Sequence, residues 1–182
     1  YLVWTDKPKL QLIRGLILLT ANISFFYSIS VISLPKALTL AFVAPLVVTA
    51  FSPFFLGESV GYRRWAAVII GFIGSLVVIR PGFLEINLAS LAALGTGIMY
   101  GFYLIITRKL STSDNPLLTL LLTGVVGAII ATTFMPFVWV SPTFNQWSIM
   151  AAIGLFACIG HLFIILSLKY ACLLYTSDAA DD

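Results

Sequence analysis

Charge is what this sequence has least of. Asp, Glu, Lys and Arg make up only 9% of its 182 residues, against about 25% in a soluble domain. Such a chain cannot coat a water-facing surface on all sides. That excludes a soluble enzyme, a nucleic-acid-binding module and a disordered tail. Cysteine is scarce too, and two of them cannot build a disulfide scaffold. The single histidine rules out an H-E-x-x-H zinc motif within these residues. No metal and no cofactor are therefore expected.

What the sequence holds instead is apolar bulk. Hydrophobic residues reach 60%, aromatics 14%, and mean hydropathy is +1.07. Thirteen glycines fit membrane helices, which hold more Gly than soluble ones. The net charge of +3 reads as loop charge that orients a membrane protein, not as a phosphate-binding surface. The fold class is all-α and polytopic, with the lipid bilayer as its surroundings and no nucleic-acid partner.

The last eleven residues, 172–182, break the pattern before them. Cys172-Leu-Leu-Tyr-Thr-Ser-Asp-Ala-Ala-Asp-Asp182 resembles a translated sequencing adapter, and such scars are excluded from fold reasoning. Without them four acids stand against ten bases, and Cys158 is the remaining cysteine. The first residue, Tyr1, follows no methionine or signal peptide. The chain is expected to be a segment cut at both ends.

A hydrocarbon core of about 30 Å takes about 20 apolar residues as helix. Six segments qualify or nearly so: Gly15–Leu34, Ala37–Gly57, Trp65–Ile79, Leu88–Thr107, Pro116–Val140 and Trp147–Leu168. The third is short, but Arg63, Arg64 and Arg80 can snorkel from its ends. Pro136 should kink or end the fifth. Threading the spans alternately puts Lys7, Lys9, Arg14, Arg63, Arg64, Arg108, Lys109 and Lys169 on one side, and only Lys36 and Arg80 on the other. By the positive-inside rule the first side is cytoplasmic. The loops at 1–14, 58–64 and 108–115 are then expected in the cytoplasm.

The first and sixth spans can be compared with each other. Gly15-Leu16 aligns with Gly154-Leu155, Asn22 with His161, and Ser28 with Ser167. Two related helices five spans apart run in opposite directions, as inverted-topology repeats do in secondary transporters.

Several stretches resemble the EamA family of the drug/metabolite transporter superfamily. They are Phe26-Tyr27-Ser28-Ile29 through Pro35-Lys36-Ala37, Ala44-Pro45-Leu46 and Leu56-Gly57-Glu58. Arg64-Trp65-Ala66-Ala67, Gly71-Phe72-Ile73-Gly74 and Val78-Ile79-Arg80-Pro81-Gly82 continue the likeness. The resemblance implies ten helices in two inverted five-helix repeats, with both termini cytoplasmic. On that template residues 1–82 are the latter part of the first repeat, helices three to five. Residues 83–171 begin the second, helices six to eight, and 172–182 stand apart as a non-native tail. About 50 residues would lie beyond each end, at about 20 per span plus loops. The implied activity is secondary transport of a small organic metabolite across a bacterial inner membrane, with no catalysis. Spans one to three lean towards carriers of S-adenosylmethionine and riboflavin. Whether the protein pairs with a second copy of itself is left open.

Polar residues inside a membrane are expensive and mark function. The genuine acids Asp6, Glu58, Glu85 and Asp114 fall in loops or at helix ends, so no mid-membrane carboxylate relay is expected. His161 is the one ionisable group expected well inside a span. It would be a substrate contact or proton carrier; a neutral imidazole bonding a neighbouring helix is the alternative. In the fourth span, Thr96, Tyr100, Tyr103 and Thr107 recur at i, i+4, i+7 and i+11, one stripe of a helix. They offer hydroxyls and rings to a cavity, unless the threonines bond their own backbone. Gly97 and Gly101 form a G-x-x-x-G for close packing.

Asn22 shares a face with Phe25, Phe26 and Ile29, suiting a flat, polar-edged ligand or an interhelical hydrogen bond. Pro45, Thr49 and Ser52 share another stripe, and Pro45 marks a kink, a hinge or a substrate-facing break. Ala67, Gly71 and Ser75 form a small-residue packing seam. The candidate substrate residues are thus His161, Tyr100, Tyr103, Thr96, Asn22 and Thr49, with Pro45 as the helix break. Two other classes compete with transport. An intramembrane serine enzyme would need a G-x-S-G motif, and no glycine follows Gly74-Ser75-Leu76. A channel would need a charged ring or carbonyl filter, and neither is evident.

Overall fold

A computed structural model describes residues 5, 7–57, 60–79, 87–111 and 113–178, with the side chains of 75, 78, 79 and 171–178 left out. Arg80, Asp6, Glu58 and Glu85 lie outside the described residues, so the expectations placed on them rest on the sequence. Every described element is helical. In order they are α1 (Pro8–Val31), α2 (Leu34–Ala41), α3 (Ala44–Leu56), α4 (Tyr62–Ile79), α5 (Leu88–Ser111), α6 (Pro116–Val138) and α7 (Phe144–Asp178). Among the described residues five segments are long and apolar enough to cross a membrane: α1, the α2–α3 pair, α5, α6 and α7 through Tyr170. The chain is an all-α polytopic membrane protein.

Local sequence explains where these helices begin and end. Pro116 occupies the first turn of α6, where its missing N–H costs nothing, and the Asn115 side chain accepts from the Leu117 N–H at 2.9 Å. The start of α7 is a reciprocal capping box. Gln146 Oε1 accepts from the Thr143 N–H at 2.8 Å, and Thr143 Oγ1 accepts from the Gln146 N–H at 3.4 Å. Asn87 Oδ1 accepts from the Ser90 N–H at 2.9 Å before α5. Arg108 and Lys109 occupy the last turn of α5, where the negative end of the helix dipole favours cations. Gly57 closes α3 with φ of 69°, a left-handed cap that glycine adopts without strain.

Several boundaries differ from the expected spans. Residues 8–14 are helix rather than loop, because Pro8 suits a first turn and Lys9, Leu10, Gln11 and Arg14 are good helix formers. Likewise 62–64 open α4 and 108–111 close α5, so these parts of the expected loops are helical. The second span is interrupted. Phe42 and Val43 form a turn between α2 and α3. Pro45 follows as the second residue of α3, and without an N–H it gives the Ala41 carbonyl no i+4 donor. Pro53 and Pro136 both lie inside helices, α3 and α6, and α6 ends two residues after Pro136. The last helix outruns its expected span at both ends and continues to Asp178 without a break at 172.

The helices divide into two compact units, residues 16–106 and residues 1–15 with 107–182. In the first unit α5 packs on the α2–α3 break through its glycines. A Cβ on Gly97 would stand 2.6 Å from the Ala41 carbonyl oxygen, and one on Gly101 2.8 Å from Val47. Phe51 and Phe102 meet with ring centroids 5.2 Å apart. Two residues of the expected small-residue seam on α4 have no packing partner among the described residues, and the Ser75 side chain lies outside them. Ala67 and Gly71 are exposed, and a Cβ on Gly71 would meet nothing within 4 Å. In the second unit α6 packs on α7, and Gly15 of α1 presses against Val126, where a Cβ would come within 3.0 Å.

Burial runs opposite to that of a water-soluble domain. Arg14, Thr107, Thr119, Ser28 and Ser52 are fully buried, while Ile129, Phe137, Leu155, Phe156 and Phe163 are exposed. Lipid solvates apolar side chains, so hydroxyls and charges are what such a fold must hide.

Candidate substrate site and a buried polar network

Six of the seven residues singled out from sequence belong to the first unit. The α5 stripe carries Thr96, Tyr100 and Tyr103. Tyr100 and Tyr103 stack with centroids 5.5 Å apart and planes 25° from parallel. Tyr103 is buried, whereas Tyr100 is half-buried and the more accessible ring of the two. Thr96 is buried and donates to two carbonyls, Ala92 at 3.0 Å on its own helix and Ala21 at 3.2 Å on α1. That second bond draws α5 against α1 one residue from Asn22, itself exposed. On α3, Thr49 and Ser52 are buried, and the Ser52 hydroxyl has no hydrogen-bond partner among the described residues. Pro45 is exposed at the helix break.

The seventh residue, His161, belongs to the second unit. It sits near the middle of α7, half-buried, within electrostatic reach of Arg14. Arg14 corrects a sequence expectation. The charge count places it in a loop. Instead Arg14 lies in the second turn of α1 and is 0% exposed.

Around Arg14 the ends of three helices are joined by side-chain hydrogen bonds. Its Nε donates to Thr107 Oγ1 of α5 at 2.7 Å, and its Nη1 donates to the Thr119 carbonyl of α6 at 3.0 Å and to the Thr123 hydroxyl. One turn earlier on α1, Gln11 Nε2 donates to Asp114 Oδ2 at 2.7 Å and Thr119 Oγ1 at 3.1 Å. Thr5 Oγ1 donates to the same carboxylate oxygen at 2.6 Å. Charge-assisted bonds of this kind are about twice as strong as neutral ones.

The sequence held a signal for this cluster. Gln11, Arg14, Gly15 and Leu18 are spaced i, i+3, i+4 and i+7 and are buried together, while Leu12, Ile13 and Leu16 face outward. Thr119 and Thr123 repeat the i, i+4 spacing on α6. A charge count that assigns every base near a span end to a loop passes over it.

Elsewhere in the second unit an open groove of about 480 Å³ is lined by Met135, Val138, Trp139, Pro142, Ile149 and Met150 among others. Trp139 and Trp147 stand 6.4 Å apart beside it. Tryptophans at a helix turn fit the belt at a membrane interface. Among the described residues no three of His, Cys, Asp and Glu come together as a metal site.

The described helices form an integral membrane bundle with polar groups buried between them, and comparison with known proteins finds transporters as relatives. Residues 2–80 match the EamA-like transporter family model. The chain is 26% identical over 165 residues to the S-adenosylmethionine uptake transporter of Rickettsia bellii, covering 91% of this chain and 56% of that protein. It is 36% identical over 81 residues to the riboflavin transporter of Vibrio cholerae, covering 44% of this chain and 27% of the relative. The pseudopaline exporter CntI of Pseudomonas aeruginosa is 24% identical over 158 residues, 84% of this chain and 55% of the relative. The chain spans about half the length of the curated relatives that it matches most fully. No solved structure gives a significant match.

Proposed function

We propose that this chain is the central portion of a ten-helix secondary transporter, and that the whole protein moves a small organic metabolite across a bacterial inner membrane by alternating access. The observation that carries this reading is the match to an S-adenosylmethionine uptake transporter over 91% of the chain. In this reading residues 1–82 complete one inverted repeat, 83–171 begin the other, and 172–182 are not native. The relatives are transporters, not enzymes, and this chain is assigned no catalytic role. The side bearing Arg63, Arg64, Arg108 and Lys109 is cytoplasmic by its excess of bases.

The substrate site is assigned to Tyr100, Tyr103, Thr96, Asn22, Thr49 and His161, with Pro45 at a hinge. Stacked tyrosine rings favour a substrate with a flat ring, since offset aromatic faces attract one another by about 0.5–1.5 kcal/mol beyond their burial. S-adenosylmethionine and riboflavin, named for two of the relatives, both carry such a ring. The asparagine amide and His161 supply polar edges for the rest of the molecule. Substrate sites between inverted repeats lie near the bilayer midplane, where His161 falls in α7.

Uptake by the reconstituted ten-helix protein, measured against a panel of metabolites, tests this reading. Saturable uptake of a ring-bearing metabolite is expected, and residues 1–171 alone should show none because the midplane site lacks walls. His161→Ala should raise KM or abolish uptake with protein levels nearly unchanged, and Tyr100→Phe should alter substrate preference. Normal kinetics in the surviving His161→Ala protein would instead make the imidazole an interhelical bond.

A further inference from the structure

We infer that Gln11, Arg14, Thr107, Asp114, Thr119 and Thr123 form a latch that holds one end of the transport pathway shut and separates whenever that end opens. The inference rests on the transporter reading above, and it names residues outside the proposed substrate site.

Three features support a latch over a permanent joint. The first is its position in the chain. Its bonds join α1, assigned to the first repeat, to the end of α5 and the start of α6, assigned to the second. Alternating access moves one repeat against the other around a fixed site, so bonds across that division must break and re-form. All of them lie at the end of the bundle where Arg108 and Lys109 close α5.

The second feature is strength. Each connection but Gln11–Thr119 pairs one charged group, the Arg14 guanidinium or the Asp114 carboxylate, with a neutral hydroxyl, amide or carbonyl. Polar bonds between membrane helices are modest because the separated helices also find partners. They are strong enough together to bias two states and weak enough singly to exchange. Asp114 is bonded by Thr5 and Gln11, so the closed arrangement ties down the α5–α6 turn as well as the helices.

The third feature is that the closed arrangement leaves something unsatisfied. Gln11 Oε1 is buried and no donor among the described residues reaches it. A buried acceptor without a donor is costly, and opening to water relieves that cost. Arg14 also has an alternative when the latch parts. It lies in the second turn of α1, and its long stem lets the guanidinium snorkel to the interface.

Ser111 is 2% exposed, one turn beyond Thr107 at the same end, and makes none of the latch bonds. A single reporter is placed there as Ser111→Cys in the ten-helix protein, with Cys158→Ser and every other cysteine of that protein replaced by serine. A charged maleimide applied to permeabilised membranes reports how fast the position opens. Thr123→Val removes one hydroxyl at constant shape and should speed labelling about threefold, the fold-change of one average interhelical bond. Arg14→Gln removes several and should speed it about tenfold or more, while Thr123→Ser should restore the wild-type rate.

A second reporter, Ala93→Cys, starts from a site that is 0% exposed on α5 and should not change. Unchanged labelling at 111 in Thr123→Val and Thr107→Val would overturn the latch. So would an equal rise at 93 and 111, which signals general loosening. Should Arg14→Gln fail to accumulate, the isosteric threonine variants decide alone. Saturable uptake with unchanged labelling sinks the latch and leaves the transporter. A labelling shift without uptake of any metabolite sinks the transporter reading and leaves a two-state contact.

Discussion

Two threonines show how one residue type takes opposite roles in this protein. Thr107 is fully buried and accepts from Arg14 Nε, while Thr133 is exposed and donates to its own helix carbonyl at Ile129, 2.9 Å away. Replacing Thr107 by valine keeps the shape and leaves a guanidinium N–H without its acceptor. Stranding a buried donor costs about 1–3 kcal/mol. Thr133→Val removes only a local bond, at a site where an apolar side chain suits lipid, and should change stability by less than about 0.5 kcal/mol. Thermal melts of the two variants in one detergent check this, and equal midpoints would show that the Thr107 bond does not support the fold. The contrast also explains what was readable residue by residue. Hydropathy marked both threonines as intramembrane, but only packing decides which hydroxyl meets a charge. The same holds for Arg14, whose distance from the span end suggested water and whose neighbours supply oxygens instead.

At the scale of the helix, glycines separate into those that let elements meet and those that do not. Gly97 faces the Ala41 carbonyl at the α2–α3 break, where a Cβ would come within 2.6 Å of backbone oxygen. Backbone cannot swing aside as a side-chain tip can. Gly97→Ala should therefore push α5 off the break and destabilise the fold by about 1–3 kcal/mol, as overpacking does. Gly124 in α6 meets nothing within 4 Å, and Gly124→Ala should gain up to about 1 kcal/mol from helix propensity. Opposite shifts in melting midpoint are expected, and a stable Gly97→Ala protein would mean the break can move away. The G-x-x-x-G of α5 was legible because small residues four apart in an apolar helix have few other uses. On α4 the same spacing leaves Ala67 and Gly71 uncovered among the described residues, since spacing shows that a face is smooth but not that a partner covers it. The break after Ala41 was marked by Pro45, yet the sequence placed one span there because apolar length says nothing of a two-residue turn.

Over the whole molecule, apolar run length revealed the helices because the bilayer demands about 20 residues of helix whatever the packing. The same demand hid the helix ends, since amphipathic first turns such as Pro8–Arg14 extend past the apolar core. Orientation is a property of the whole chain and comes from loop charge. If the proposed orientation holds, with Arg63, Arg64, Arg108 and Lys109 on one side and Lys36 on the other, cysteines should label in opposite patterns in the proposed full-length protein. Gly61→Cys, before α4, and Ser113→Cys, in the α5–α6 turn, should resist an impermeant thiol reagent applied to intact cells. They should react once the membrane is permeabilised. Lys36→Cys, exposed in the first turn of α2, should react in intact cells. Each added base near the cytoplasmic face is held there by the cost of translocating it, so reversing the order would require the charge bias to have been overruled. Labelling of 61 and 113 from outside, with 36 protected, would invert the topology and place the Arg14 network at the external end. Labelling of 61 and 113 on different sides would be more damaging. An even number of crossings lies between them only if α4 and α5 each span, and α4, at 18 residues with Arg63 and Arg64 in its first turn, is the helix on which that parity depends.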